Sequence, residues 1–253
     1  MTSILQFKTF MGSSFKGASI FIAALGFLSI STPTYAQRVE PMSYTMAPSG
    51  NGATQALRIE NTSQSAMTVE LTVNKITVDD YGNETKTPAE DDFLIFPPQA
   101  IIKPNNTQTV RVKYIGDPKI ERSAAYRITV GQLPIDLGGR AGGAVGFVIN
   151  FHTLATVAPK DSSAELHVSS LKPAANGYWD VVIENTGNRM GRLSRSTWTL
   201  SDSSGNNKTL EEQEVSKMTN KNLVMPGHVL KLSIPALEGF NPSTTSVDIS
   251  VRS

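Results

Sequence analysis

Few residues in this 253-residue chain have the type and spacing to do chemistry. His152, His167 and His228 stand far apart, with no H-x-x-x-H or H-x-H pattern. A zinc site needs three or four convergent ligands, so each reads as a strand or loop histidine. Ser169-Ser170-Leu171-Lys172 matches S-x-x-K, a serine nucleophile with its lysine, but that pattern works at a helix start and here falls on an expected strand. The run Gly138 to Gly146 resembles a phosphate-cradling loop without the strand–loop–helix context such loops need, and reads as a hairpin connection. Glu90, Asp91 and Asp92 form an acidic turn. Paired carboxylates do acid–base work when burial separates their pKa values, and an exposed turn gives no separation. There is no cysteine, hence no thiol chemistry and no cysteine metal site. The expectation is a protein that is not an enzyme and uses no cofactor or metal. An exported hydrolase or metalloenzyme on a β scaffold is the disfavoured third class.

What remains is an interaction surface, from Tyr126 to Pro159. An apolar strand, Tyr126 to Val130 and on to Leu133-Pro134-Ile135, precedes the loop Gly138-Gly139-Arg140-Ala141-Gly142-Gly143. A second strand then sets Val145, Phe147, Ile149 and Phe151 on one face at period two. The row either packs inside its own sandwich or is offered to another protein. An exposed strand of this kind is an aggregation hazard unless managed. It could instead pair with a client's open sheet edge, main-chain hydrogen bonds giving affinity and alternate side chains filling a groove. A hairpin centred near Ala141 sets Arg127 opposite the end of the second strand, near Ala155. Arginine suits bidentate capture of a carboxylate, such as the C-terminus of a client strand. The alternative is an internal ion pair with Asp136 or Glu165.

The chain opens like an export signal, 1–36. Lys8 and Lys16 supply the charge, Ala18 to Ile30 is an apolar run short of a membrane span, and Thr34-Tyr35-Ala36 suits cleavage before Gln37. No stable membrane anchor is expected after cleavage. Residues 1–36 hold two of the 23 basic residues and no acid, leaving 21 basic against 22 acidic, a formal charge of −1. That argues against nucleic acid as a partner. Without disulfides, stability must come from core burial, and the length suffices for two cores.

The chain repeats itself. Ile59-Glu60-Asn61-Thr62 returns as Ile183-Glu184-Asn185-Thr186, and Lys103-Pro104 with Val110 and Val112 returns as Met225-Pro226 with Leu232 and Ile234. Two matches in one order at nearly one spacing suggest two domains of one topology. Short alternating segments with turns between them predict an all-β chain of two antiparallel, immunoglobulin-like sandwiches. The expected division is 37–158 and 164–253, joined by a linker at 159–163. Trp179 and Trp198 read as core aromatics of the second sandwich. Glu211 to Lys217 has almost no apolar stripe and reads as a solvated loop.

Taken together, these elements resemble the periplasmic chaperones of the chaperone–usher pilus pathway, the PapD-like proteins. The matching elements are Ile59-Glu60-Asn61-Thr62, Phe96-Pro97-Pro98 with Lys103 to Val112, Tyr126-Arg127 ahead of Gln132-Leu133-Pro134-Ile135, the variable loop, the strand ending at Pro159, and Val224-Met225-Pro226-Gly227. Their order and spacing, with the export signal, carry the likeness. It implies two immunoglobulin-like domains in a boomerang arrangement and a periplasmic location. The last strand of the first domain would complete an unfinished pilus subunit by donor-strand complementation. The subunit would then pass to an outer-membrane usher. The donor residues would be Val145, Phe147, Ile149 and Phe151.

The best-known members anchor the subunit's terminal carboxylate with an arginine on the first strand and a lysine late on the donor strand. Here Met42 to Met46 and Val145 to Val157 carry no lysine or arginine. The Tyr-Arg…Gln-Leu-Pro-Ile pattern resembles the archaic branch instead, which makes Arg127 the anchor, with Lys113 and Lys160 as weak candidates for a second cation. Whether unoccupied molecules cap one another through the apolar strand stays open. A secreted two-domain structural adhesin or a pilus subunit is the alternative, disfavoured by the internal duplication.

Overall fold

The computed structural model describes residues 37–133 and 148–252. The export segment, the glycine run 138–143, Asp136, Val145 and Phe147 lie outside the described residues.

The first lobe is built from β1 (Arg38–Glu40), β2 (Ser43–Met46), β3 (Thr54–Asn61), β4 (Met67–Val78), β5 (Glu84–Pro88), β6 (Phe93–Phe96), β7 (Gln99–Ile102), β8 (Asn106–Tyr114), β9 (Ala124–Leu133) and β10 (Asn150–Val157). One sheet runs β1-β3-β8-β6 and the other β2-β10-β9-β4-β5, with β7 on β4. Alternation drives the pairing of layers. Leu57 and Ile59, Val69 to Val73 at alternate positions, Val110 and Val112, and Tyr126, Ile128 and Val130 all point into one core.

The second lobe comprises β11 (Leu166–Pro173), β12 (Tyr178–Asn185), β13 (Gly191–Arg192), β14 (Ser196–Asp202), β15 (Asn207–Leu210), β16 (Leu223–Val224), β17 (Val229–Pro235) and β18 (Thr245–Val251). Its main sheet runs β15-β14-β18-β11-β12-β17, with β13 on β16 beside it. Trp179 and Trp198 are buried in its core, as expected. Glu211 to Lys217 is not a solvated loop: α1 occupies Glu212–Met218. Glu211 and Glu214 form a reciprocal capping box. Val215, fully buried, and Met218 hold the helix on the core. Two apolar residues on a single well-capped turn suffice, so no stripe was visible.

The lobes share one pairing scheme. β3–β8, β4–β9 and β4–β5 correspond to β12–β17, β14–β18 and β14–β15. The repeated sequence motifs meet physically. Asn61 is buried, and its Nδ2 donates to the carbonyls of Ile102 and Lys103 at 2.9 and 3.2 Å. Asn185, also buried, donates to the Val224 carbonyl at 3.0 Å. Each asparagine thus ties its strand end to the proline-led segment that the second repeat marks. A third correspondence joins them. Asp79 accepts from the N–H groups of Tyr81 and Asn83, and Asp202 from those of Ser204 and Asn206. In both turns a glycine at positive φ follows, Gly82 and Gly205. These bonds hold both carboxyls below their ordinary pKa, through Asn83 for Asp79 and Asn206 for Asp202. β10 has no counterpart among the second lobe's described strands.

An apolar seam joins the lobes: Ile76, Val78, Ala125 and Leu154 against Met190 and Leu223. Ser123 Oγ accepts from the buried Met190 N–H at 2.8 Å. The Asp79–Asn83 turn grips the second lobe. Lys231 donates its backbone N–H to the Asp80 carbonyl at 2.6 Å and its ammonium to the Asp80 carboxylate at 2.9 Å.

Removing either buried asparagine amide leaves carbonyls without donors, at about 1–3 kcal/mol for each unpaired group. Asn61→Ala and Asn185→Ala should each lower the unfolding free energy by ~3 kcal/mol in urea titrations. Glu184→Ala, on an exposed neighbour, should change it by less than about 0.5 kcal/mol. Equal effects would show that the amides do not hold the repeats together.

Candidate functional site

β9 and β10 pair antiparallel with Leu154 opposite Arg127 and Phe151 opposite Val130. Arg127 thus lies near Ala155, as expected, and its partner, Leu154, is one residue from it. The difference matters because opposed residues share a sheet face, and a one-residue slip exchanges faces. Ala155 faces the core with Tyr126, Ile128 and Val157. Leu154 lies on the opposite face, and Arg127 lies there with it. Arg127, His152 and Leu154 all line a cleft of about 730 Å³ between the lobes.

The core-facing row of β10 is Phe151, Thr153, Ala155 and Val157. Thr153, Ala155 and Val157 are buried, and Phe151 is half-buried against the same core. The row continues upward into Ile149, 41% exposed, and Val148 beside it is 51% exposed. Ile149 and Phe151 are therefore not sealed within their own lobe. Val145 and Phe147, at the same parity, lie outside the described residues.

The outer edge of β10 is covered for only half its length. β2 runs parallel to it over Leu154 to Val157, and the Leu154 N–H donates to the Met42 carbonyl at 2.9 Å. Among the described residues no strand pairs with that edge over Asn150 to Thr153. Main-chain groups alternate between the two edges of a strand. With Leu154 turned to β2, Asn150 and His152 turn their N–H and C=O groups to the uncovered edge.

Arg127 forks onto Glu84 of β5. Its Nε donates to Glu84 Oε2 at 3.0 Å and an Nη to Oε1. The two side chains are 21% and 26% exposed. The internal acid is thus Glu84. Glu165, one of the two foreseen, bonds instead with Ser163 and Thr186. Glu84 sits in β5 after the Asp79–Asn83 turn, and nothing in linear spacing links it to Arg127.

His152 Nδ1 lies 2.9 Å from Thr129 Oγ1 on the same face. Its pKa is lowered by burial first and then by the charges of Lys86 and Arg127, against an upward pull from Glu84. Lys113 and Lys160 do not join this cleft. Lys113 is on β8 in the other sheet, and Lys160 lines a different cavity, with Met46 and Ala158. Besides Lys221, the second-lobe cation lining the cleft is Arg192. It falls in Arg189-Met190-Gly191-Arg192-Leu193-Ser194-Arg195, a run with an arginine at every third residue. The run was visible in sequence, but that it faces the first lobe was not.

The other chemical candidates do not converge. The described residues hold no group of three side chains able to share a metal. Ser169 to Lys172 lies on β11, as expected. Asp92 is more than an exposed acid: the buried Tyr126 donates its hydroxyl to Asp92 Oδ2 at 2.8 Å. Burial and that carboxylate push the Tyr126 pKa up.

Solved structures of the same architecture are pilus chaperones. The class 5 fimbriae chaperone CfaA superposes with a TM-score of 0.55 at 15% identity, over 86% of this chain and 100% of that one. The SafB chaperone with SafA pilin, from Salmonella enterica, gives 0.54 at 15%, over 81% and 86%. The CsuC–CsuE chaperone–tip adhesion subunit complex from archaic chaperone–usher Csu pili of Acinetobacter baumannii gives 0.51 at 14%, over 79% and 90%. The fold is that of the two-domain, all-β pilus chaperones. Residues 45–152 match the pili and flagellar-assembly chaperone family, PapD N-terminal domain. The matched span lies within the first lobe. Among curated proteins no sequence matches it.

If Arg127, Glu84 and His152 share one field, each substitution moves the imidazole pKa in a fixed direction. Arg127→Gln removes a neighbouring cation, so the His152 pKa should rise. Glu84→Gln removes the acid that favours the imidazolium, so it should fall. NMR titration of the His152 ring reads both, and a pKa indifferent to either change would dissolve the cluster.

Proposed function

We propose that this protein is a periplasmic chaperone that folds and caps pilus subunits by lending them β10, and then delivers them to an outer-membrane usher. The carrying observation is the half-covered edge of β10. Below Leu154 the strand is sealed by β2 and its odd-numbered row is core. From Asn150 to Thr153 no described strand pairs with the edge, and Ile149, further along the same row, is 41% exposed. A client strand can add there through main-chain hydrogen bonds, with Val145, Phe147, Ile149 and Phe151 filling its unfinished core. No nucleotide is required. The energy lies in the client, held short of its best-packed state until strands exchange.

Arg127 is the proposed anchor for the client's terminal carboxylate, in the manner of the archaic branch. The cleft and the cations around it support this role. Glu84 occupies the guanidinium fork in the free protein, so docking exchanges one carboxylate for another. The reading includes a signal peptide at 1–36, a client-binding domain at 37–158, a linker at 159–163 and a second domain at 164–253. Among the described residues no helix is long and apolar enough to cross a membrane.

The test is co-expression with a cognate pilin and recovery of the complex from the periplasm. Phe147→Asp with Ile149→Asp should abolish capture, and Arg127→Ala should weaken it by about tenfold. Asn150→Pro removes an outward N–H without touching a bond to β9, and should also weaken capture. Undiminished recovery with all four residues changed would refute the site.

A further inference from the structure

Where the lobes meet, a second cavity of about 180 Å³ lies against β2. Ser43 and Thr45 line it from the first lobe, and Arg189, Arg192, Arg195 and Arg252 from the second. Four arginines around one small space repel one another, and among the described residues no acid lines its wall.

The backbone holds the arginines there. Arg189 N–H donates to the Ser163 carbonyl at 2.9 Å, Arg192 pairs with Leu223 across β13–β16, and Arg252 N–H donates to the Arg195 carbonyl at 2.8 Å. Their side chains find mostly neutral partners. Arg189 donates to Thr45 Oγ1 at 3.1 Å and Arg192 to Ser43 Oγ. Each hydroxyl accepts from an arginine and so keeps its own proton to donate. Arg252 reaches the Glu212 carboxylate only at 3.8 Å. Arg192 Nε is buried with no acceptor among the described residues. Its guanidinium has a lowered pKa, through burial first and then Arg195 and Arg127. A buried donor without a partner and a cluster of arginines met mostly by neutral groups both call for a compact anion with several acceptor oxygens.

We propose that this cavity binds an oxyanion or carboxylate group, bridging the two lobes through Arg189 and Arg192 with Ser43 and Thr45 as supporting donors. The site shares Arg192 with the cleft of the Arg127–Glu84 pair, is otherwise lined by different charged residues, and exists only with the lobes docked. Its ligand is a small free oxyanion or an acidic group of a bound partner; the two share one chemistry.

The probe is sodium sulfate, titrated calorimetrically into the free full-length protein against sodium chloride at matched ionic strength. Sulfate should bind saturably and raise the melting temperature beyond chloride. Arg189→Gln with Arg192→Gln should weaken sulfate binding by at least about tenfold. Should that variant fail to fold, Arg195→Gln with Arg252→Gln, on exposed side chains, should still weaken binding while leaving the melting temperature in chloride unchanged. A second titration into the chaperone–pilin complex separates the sources. Loss of sulfate binding there assigns the cavity to an acidic group of the partner, and retained binding assigns it to a free oxyanion. Equal behaviour in sulfate and chloride, or variants that bind sulfate like the wild type, would overturn the proposal. Because the first titration needs no client, its failure leaves the client reading standing, and failed client capture leaves this site standing.

Discussion

A strand has two faces and two edges, and β10 uses all four. Its inner edge is bonded to β9 along its full length, from Asn150 opposite Gly131 to Val157 opposite Ala124. One face contributes Ala155 and Val157 to the core, and the other brings His152 and Leu154 to the interlobe cleft. Only the outer edge is divided, sealed by β2 below Leu154 and uncovered above. Because side chains alternate strictly, the row that is core at the bottom must be the row that emerges at the top. A partner adding to the open edge would therefore meet side chains already in phase with a hydrophobic interior. An exposed edge of this kind is ordinarily blunted by charge or proline. Here neither occurs over Asn150 to Thr153.

The duplicated framework explains how so specialised an edge is tolerated. The pairing scheme common to both lobes, pinned by Asn61 and Asn185 and by the Asp79 and Asp202 turns, closes without β10. That strand is an addition: Ala155 and Val157 complete the first core, and Phe151 only half joins it. The seam of Leu154 with Met190 and Leu223 fixes β10 to the second lobe as well. The strand is thus rigid where it must be positioned and open where it can be reached.

Much of this was legible in sequence because strand alternation and repeat spacing are local signals. The two motifs at offsets of 124 and 122 residues located the framework. The third, Asp79 to Asn83 against Asp202 to Asn206, passed unnoticed because only aspartate, glycine and asparagine are kept. The site was less legible. Arg127 was placed near Ala155, where it pairs with Leu154, but a count around Ala141 could not fix which face of β10 it shares. Glu84 and Arg192 come from elements whose approach to β9 depends on tertiary docking, and no spacing rule reports that. α1 was missed because its anchor is one buried valine and a capping box, not a stripe. Asp92 was read as solvated because its partner, Tyr126, lies 34 residues away.

The exchange at Arg127 bears on what an anchor of this kind can do. A guanidinium left bare in a cleft would be costly, and an unpaired buried charge is more damaging than a missing pair. Glu84 removes that cost in the free state. A client carboxylate arriving at Arg127 then replaces one ion pair by another of the same chemistry, with little net Coulomb gain. On this account the anchor sets register more than affinity: it fixes which client residue meets which position of β10, while apolar burial along the strand supplies the binding energy. Arg192 and Lys221 line the same cleft, so a freed Glu84 carboxylate would find cations close by. Among the described residues, Arg127, Arg189, Arg192, Arg195, Lys221 and Arg252 thus gather at the junction of the two lobes, where on the proposed reading a client carboxylate would mark that its strand lies in register.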